Sequence, residues 1–157
     1  LKPKTIIEFG ILEGFSLQKF IDFSEETTQI IAYDIFENFN GNCAKKDIIE
    51  KFKNYNKVTI KYGDFYNQYK SIKNDTLDII HIDIANDGNV YKFAIENYFK
   101  KIKKGGILIL EGGSKERDKV DWMIKYNKVP INSFLKSLKI NYKTLGIFPS
   151  ITIVFKE

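Results

Sequence analysis

The 157-residue chain is 43% hydrophobic and 15% aromatic, the composition of a folded domain with a real core and not of a disordered segment. No apolar run approaches the roughly 20 residues that span a bilayer and no signal peptide opens the chain, so a cytoplasmic protein without membrane contact is expected. The net charge of +5 comes from basic residues spread along the chain, with Arg117 the only arginine, and lacks the clustering or stacking motif of a nucleic-acid binder. The lone Cys43 rules out an internal disulfide and fits a reducing compartment. The length suits a single domain over residues 1–157, and a start at Leu1, directly ahead of the first strand, suggests a piece of a longer protein.

Thr5 to Phe9 is a short β-branched and apolar run, enough for one buried strand. Gly10 ends it, and Gly14 opens a segment in which Leu17, Phe20 and Ile21 share one helical face. A strand that turns through glycines into a helix presents backbone N–H groups to an anionic or zwitterionic ligand. Glu8, near the carboxyl end of the strand, would repel a pyrophosphate but could accept from an ammonium group. Thr28 to Tyr33 reads as a second buried strand with Asp34 at its end, 20 residues beyond Gly14, where a nucleotide-binding α/β fold places its ribose-binding acid.

A helix over Asp47 to Tyr55 precedes Lys57 to Tyr62, an alternating strand expected near a sheet edge. In the following turn, Asp64 could accept from an adenine amino group and Phe65 could pack on the ring; a plain turn with a core phenylalanine is the competing reading. Asp78 to Asp83 is a nearly apolar, central strand. Asp83 stands at its carboxyl end, His81 lies one pleat repeat deeper, roughly 7 Å back, and Asp87 follows in a polar loop. Val90 to Ile102 reads as the longest helix, closed by Lys103-Lys104-Gly105-Gly106. Ile107 to Leu110 is a further strand ending at Glu111. Pro130 opens a last helix. Tyr142 to Phe148 and Ile151 to Phe155 are joined too closely for a crossover helix and must pair antiparallel.

This layout resembles the class I S-adenosylmethionine-dependent methyltransferases. Their acidic residue followed by Gly-x-Gly-x-Gly looks like Glu8, Gly10 and Gly14, with Leu12 in place of the middle glycine. The branch reading Glu-x-Gly-x-x-x-Gly-x-Ser, which takes in Ser16, holds small-molecule and sugar methyltransferases and is similar to the cephalosporin-hydroxylase group. The resemblance implies an α/β fold: a Rossmann-like, doubly wound, seven-stranded sheet with an antiparallel C-terminal strand. It also implies S-adenosylmethionine held by Glu8, Gly10, Gly14, Ser16, Asp34, Asp64 and Phe65.

Methyl transfer to an oxygen or nitrogen of a small polar acceptor, a sugar among the options, is the expected activity. Asp83, Glu111 and His81 are the candidate catalytic residues. The catechol-type members bind a divalent metal, and Asp83, Asp87 and Glu111 could supply oxygens for Mg2+ here, although the amide ligand of that group is replaced by Gly112. The segment from Gly112 to Tyr126, with Arg117 and Trp122, would wall the acceptor site. A nicotinamide oxidoreductase shares the first turn and Asp34 but needs a Gly-x-Gly-x-x-Gly absent here, and a non-catalytic domain of the same fold is a further alternative. The oligomeric state is not readable from the sequence.

Overall fold

The computed structural model describes residues 2–157. Five parallel strands, β1 (Thr5–Phe9), β2 (Gln29–Asp34), β3 (Val58–Tyr62), β4 (Leu77–Ile82) and β5 (Ile102–Glu111), alternate with helices. The hairpin of β6 (Tyr142–Gly146) and β7 (Ser150–Phe155) completes a sheet of order β3-β2-β1-β4-β5-β7-β6. β7 inserts between β5 and β6 and runs antiparallel to both, as the short link demands. β3 is an edge strand, in keeping with its alternating polar face.

Each face of the sheet carries its own core. α1 (Phe15–Phe23) and α2 (Lys45–Phe52) cover one face, where Leu17, Ile21, Ile48 and Phe52 pack on Ile6, Ile30, Ala32 and Ile79. The short α3 (Phe65–Gln68), α4 (Gly88–Asn97), the short α5 (Asp121–Lys125) and α6 (Ile131–Ser137) follow in the chain. Residues of α4 and α6 pack the opposite face against Ile7, Phe9, Ile80, Ile82, Leu108 and Leu110. There Phe9 stacks on Tyr33 at 5.3 Å and meets Tyr98 edge-on at 5.0 Å. Such aromatic pairs contribute about 0.5–1.5 kcal/mol each beyond simple burial.

Two expectations about α4 and β5 are corrected. The helix runs from Gly88 to Asn97 and gives way to a 3-10 turn over Phe99–Lys101, while Ile102 already belongs to β5, paired with Leu77. The register then shifts, since Ile79 pairs with Ile107, so Lys103 to Gly106 form an irregularity within the strand and not a helix cap. Gly106 is required there because a Cβ would lie 2.7 Å from the Asp78 carbonyl oxygen.

The chain leaves β1 toward β2 and β3, then returns to its other side with β4 and β5. This reversal opens a crevice at the carboxyl ends of β1 and β4, where open α/β sheets bind ligands. No helix among the described residues is long and apolar enough to cross a membrane.

Candidate active site

The crevice is a cavity of about 600 Å³ over the ends of β1, β2 and β4. Its floor is the turn after β1. Gly10 has φ +87°, and a Cβ there would sit 1.9 Å from the Asp83 carbonyl oxygen, so only glycine lets the turns after β1 and β4 approach. Gly10→Ala is expected to destabilise the chain by about 2–3 kcal/mol, read as a lowered denaturation midpoint in urea. Leu12, at the position of the family's middle glycine, holds a left-handed φ of +46° with its side chain exposed and lining the cavity. The backbone shape of the glycine turn is therefore kept by a leucine, at a cost of about 1–2 kcal/mol.

Asp34 holds this turn in place. Its Oδ2 accepts from the backbone N–H groups of Ile11 (2.7 Å) and Leu12 (3.3 Å). Its Oδ1 accepts from the N–H of Phe36 (2.7 Å) and from Asn42 Nδ2 (2.9 Å). A carboxylate has about four acceptor positions, and protein donors fill all of them. Asp34 lines the cavity as expected, but as a clamp on the loop and not as a free partner for ribose hydroxyls.

The other predicted residues divide sharply. Gly10, Asp34, Asp64, Phe65, Asp83 and Asp87 line the cavity; Glu8, Gly14, Ser16 and His81 do not. Strand alternation is the reason for Glu8: it shares the α1 face with Ile6 and is fully buried. Its Oε1 accepts from Ser16 Oγ at 2.5 Å and pairs with His81 Nδ1 at 2.9 Å, and the edge of Phe20 flanks the imidazole. Glu8 and Ser16 thus form a support beneath the start of α1, and among the described residues Glu8 Oε2 is buried without a hydrogen-bond partner. His81 is closed off from the acceptor side in the same network. Gly14 serves packing, because a Cβ would fall 2.6 Å from the Phe52 ring.

Asp64 caps α3, accepting from the Tyr66 N–H (3.0 Å) and Asn67 Nδ2 (2.7 Å), and each of its oxygens keeps an acceptor position free. Phe65 belongs mainly to the aromatic core, stacked on Tyr98 at 5.0 Å. The exposed Tyr66 beside it is the more accessible ring.

A second, wider cleft of about 880 Å³ adjoins the first, and Phe39, Asp83, Ile84, Ala85 and Lys128 line both. Its far wall consists of Glu111, Arg117, Trp122 and Tyr126. Arg117 grips Glu111 side-on, Nε to Oε1 at 2.6 Å and Nη2 to Oε2 at 2.8 Å. This ion pair removes Glu111 as a free base. Gly112 and Gly113, at φ +101° and +112°, turn the chain so that the two residues meet. Asp118 accepts from the N–H groups of Ile131 and Asn132 at 2.8 Å each, tying this segment to the start of α6.

The expected metal triad is not assembled. Glu111 is spent on Arg117, and Asp87 Oδ1 caps α4 through the N–H groups of Asn89 and Val90 at 2.9 Å. The other Asp87 oxygen lies 3.8 Å from Lys128 Nζ. Among the described residues no three His, Cys, Asp or Glu side chains gather as a metal site, so this donor set does not fit a hard cation. Asp83 alone stays uncommitted, at the junction of the two clefts. Although it opens to the cleft, enclosure by protein raises its carboxyl above the ordinary aspartate range; nearby His81 opposes the rise, while Glu111 and Glu8 add to it.

Residues that sequence reasoning missed include Asn86, Phe39 and Lys128. Asn86 is fully buried and its Nδ2 donates to the carbonyls of Ile82 (3.0 Å) and Glu111 (2.9 Å), locking together the ends of β4 and β5. Its place in the polar loop after Asp83 was the available signal.

The sheet order and the switch-point cavity, rimmed by Asp34, Asp64, Asp83 and Asp87, define a Rossmann-like fold with a small-molecule site at its ligand-binding edge. The sequence model of a methyltransferase domain matches residues 7–111, and the chain belongs to that family. Its activity is methyl transfer dependent on S-adenosylmethionine, which displaces the nicotinamide and non-catalytic readings. No curated protein matches the chain.

Solved structures share the fold. The SAH-bound methyltransferase of Podospora anserina aligns with a TM-score of 0.72 at 17% identity, over 99% of this chain and 73% of its own. A candidate caffeoyl-CoA O-methyltransferase from Staphylococcus aureus aligns with a TM-score of 0.68 at 21% identity, over 99% and 77%. A methyltransferase from Geobacter sulfurreducens aligns with 0.67 at 12% identity, over 99% and 71%.

The residues present fit the cofactor. The cavity has the volume of a small-molecule site, a floor shaped by the close approach of Gly10 to the turn after β4, and open carboxylate acceptor positions on Asp64 and Asp83.

Proposed function

We propose that the chain, as one domain over residues 1–157, methylates a hydroxyl oxygen of a small polar acceptor held in the second cleft, with Asp83 as general base. The carrying observation is that Asp83 is the one uncommitted carboxylate at the junction of the two clefts, with its affinity for a proton raised. S-adenosylmethionine, when bound, supplies a methyl group on a positively charged sulfur that leaves as a neutral thioether.

Asp64 would accept from the adenine amino group, with Tyr66 beside the ring. Asp34 would act through the turn that it clamps. Asp83 takes the hydroxyl proton as the oxygen is alkylated, so the acceptor need not carry a lasting charge. Phe39, Trp122 and Tyr126 offer ring faces to the acceptor, which suits a sugar or an aromatic ring. An oxygen acceptor is favoured over nitrogen because a carboxylate base matches hydroxyl deprotonation, and the similarity to the Staphylococcus aureus protein leans the same way. No step is assigned to a metal.

Calorimetric titration with S-adenosylhomocysteine tests the cofactor half of this reading. Micromolar affinity is expected. Absence of binding by a protein with native circular dichroism would remove it.

A further inference from the structure

We propose that the second cleft recognises an oxyanion on the acceptor, a carboxylate or a phosphate, through Nη1 of Arg117. This rests on the reading of that cleft as the acceptor site. Of the 25 basic residues only Arg117 is arginine, and it is among the few that are buried, at 6% exposure. One edge of its guanidinium is used up by Glu111, and Trp122 covers a face, its ring centroid 5.2 Å from the guanidinium carbon. Among the described residues Nη1, with its two N–H donors, is buried and has no partner.

A buried donor left unmatched is costly, and the cost is recovered when an acceptor arrives. Lysine could neutralise Glu111, but only a planar fork can bind one carboxylate on one edge and a second oxyanion at its remaining nitrogen. The charges of the cleft agree. Glu111 and Arg117 cancel, and Lys128 stands against the ionised Asp83 in the same cleft. Lys128 lines the same cleft at its border with the first, exposed, with a 3.8 Å contact to the helix-capping Asp87. An acceptor whose oxyanion spans Arg117 Nη1 and Lys128 would present its ring to Trp122 and Tyr126 and its hydroxyl to Asp83. Trp122 lies against the same guanidinium, so an oxyanion at Nη1 changes its surroundings, and it is the only tryptophan in the chain.

Trp122 fluorescence therefore reports the event. The protein, with and without saturating S-adenosylhomocysteine, is titrated with inorganic phosphate, glucuronate and glucose at ionic strength held constant with chloride. A saturable change with phosphate or glucuronate and none with glucose is expected, weakened at least tenfold in Arg117→Lys. A response to phosphate alone assigns a phosphorylated acceptor, and to glucuronate alone an acidic one.

No saturable change with either anion, or an unchanged response in Arg117→Lys, overturns the proposal. Should Arg117→Lys lose its fold by circular dichroism, Lys128→Ala on the surface decides, with a several-fold weaker response expected and an equal one overturning it. Loss of S-adenosylhomocysteine binding in calorimetry counts against the methyltransferase site alone, because the anion titration without it still decides this point.

Discussion

Asp83→Asn lowers kcat by about 10²–10⁴-fold, the range for removal of a general base, while affinity for S-adenosylhomocysteine changes far less. Asparagine keeps the shape of the side chain at the junction of the clefts but cannot take a proton. No neighbour can substitute: Glu111 is held side-on by Arg117, and His81 is paired with Glu8 behind the sheet edge. The pH behaviour follows from the raised carboxyl. The base works when ionised, so the acidic limb of kcat/KM in the wild type lies above the ordinary aspartate value of about 3.9.

Stability carries the opposite sign. The folded state favours protonated Asp83, so the unfolded chain releases this proton first as pH rises, and stability is lost between the ordinary value and the raised one. Asp83→Asn escapes that loss. It should melt at or above the wild-type temperature at neutral pH, with the gap closing as pH falls below the ordinary aspartate value. A variant that kept full kcat would place the base elsewhere.

The strands and the acids at their ends were legible because buried parallel strands are short apolar runs and the turns after them are punctuated by glycine. β1 falls at Thr5–Phe9 as read, and Asp34, Asp83 and Glu111 stand at or next to strand ends. The direction of each side chain was less legible. β1 is buried on both faces, so its sequence hides which residues point at α1, and the burial of Glu8 beside Ile6 and its bonds to Ser16 and His81 were not legible. The helix expected through Ile102 failed because apolar periodicity cannot register a strand partner: Ile102 gains its pairing from Leu77 across the sheet. The bond between Glu111 and Arg117 depends on two positive-φ glycines in succession, a turn that the pattern Gly112-Gly113 permits but does not specify. Asp34 was found by spacing, while its donors from Ile11 and Leu12 arise from a loop 23 and 22 residues away in the chain.

Those donors change what the Asp34→Ala variant should do. Were Asp34 only a ribose ligand, the ligand-free protein would melt as the wild type does and only cofactor affinity would fall. Here alanine strands the N–H groups of Ile11, Leu12 and Phe36 and the amide of Asn42, two of these bonds being buried. Hydrogen bonds to a charged acceptor contribute about 1.5–3 kcal/mol each but not additively, and the two part-buried donors recover some water, so a loss of about 3 kcal/mol is expected. For a domain of this size that lowers the melting temperature of the ligand-free protein by about 6–12 °C.

Affinity for S-adenosylhomocysteine should fall at least tenfold, because the turn carrying Gly10 and Leu12 loses its anchor and binding must first order it (about 1.4 kcal/mol per decade). Asp34→Asn should not restore it, since an amide group turns donors toward donors on one side. An unchanged melting temperature together with lost affinity would return Asp34 to the role of a direct ligand, and would mean that the turn holds its left-handed Leu12 without the clamp.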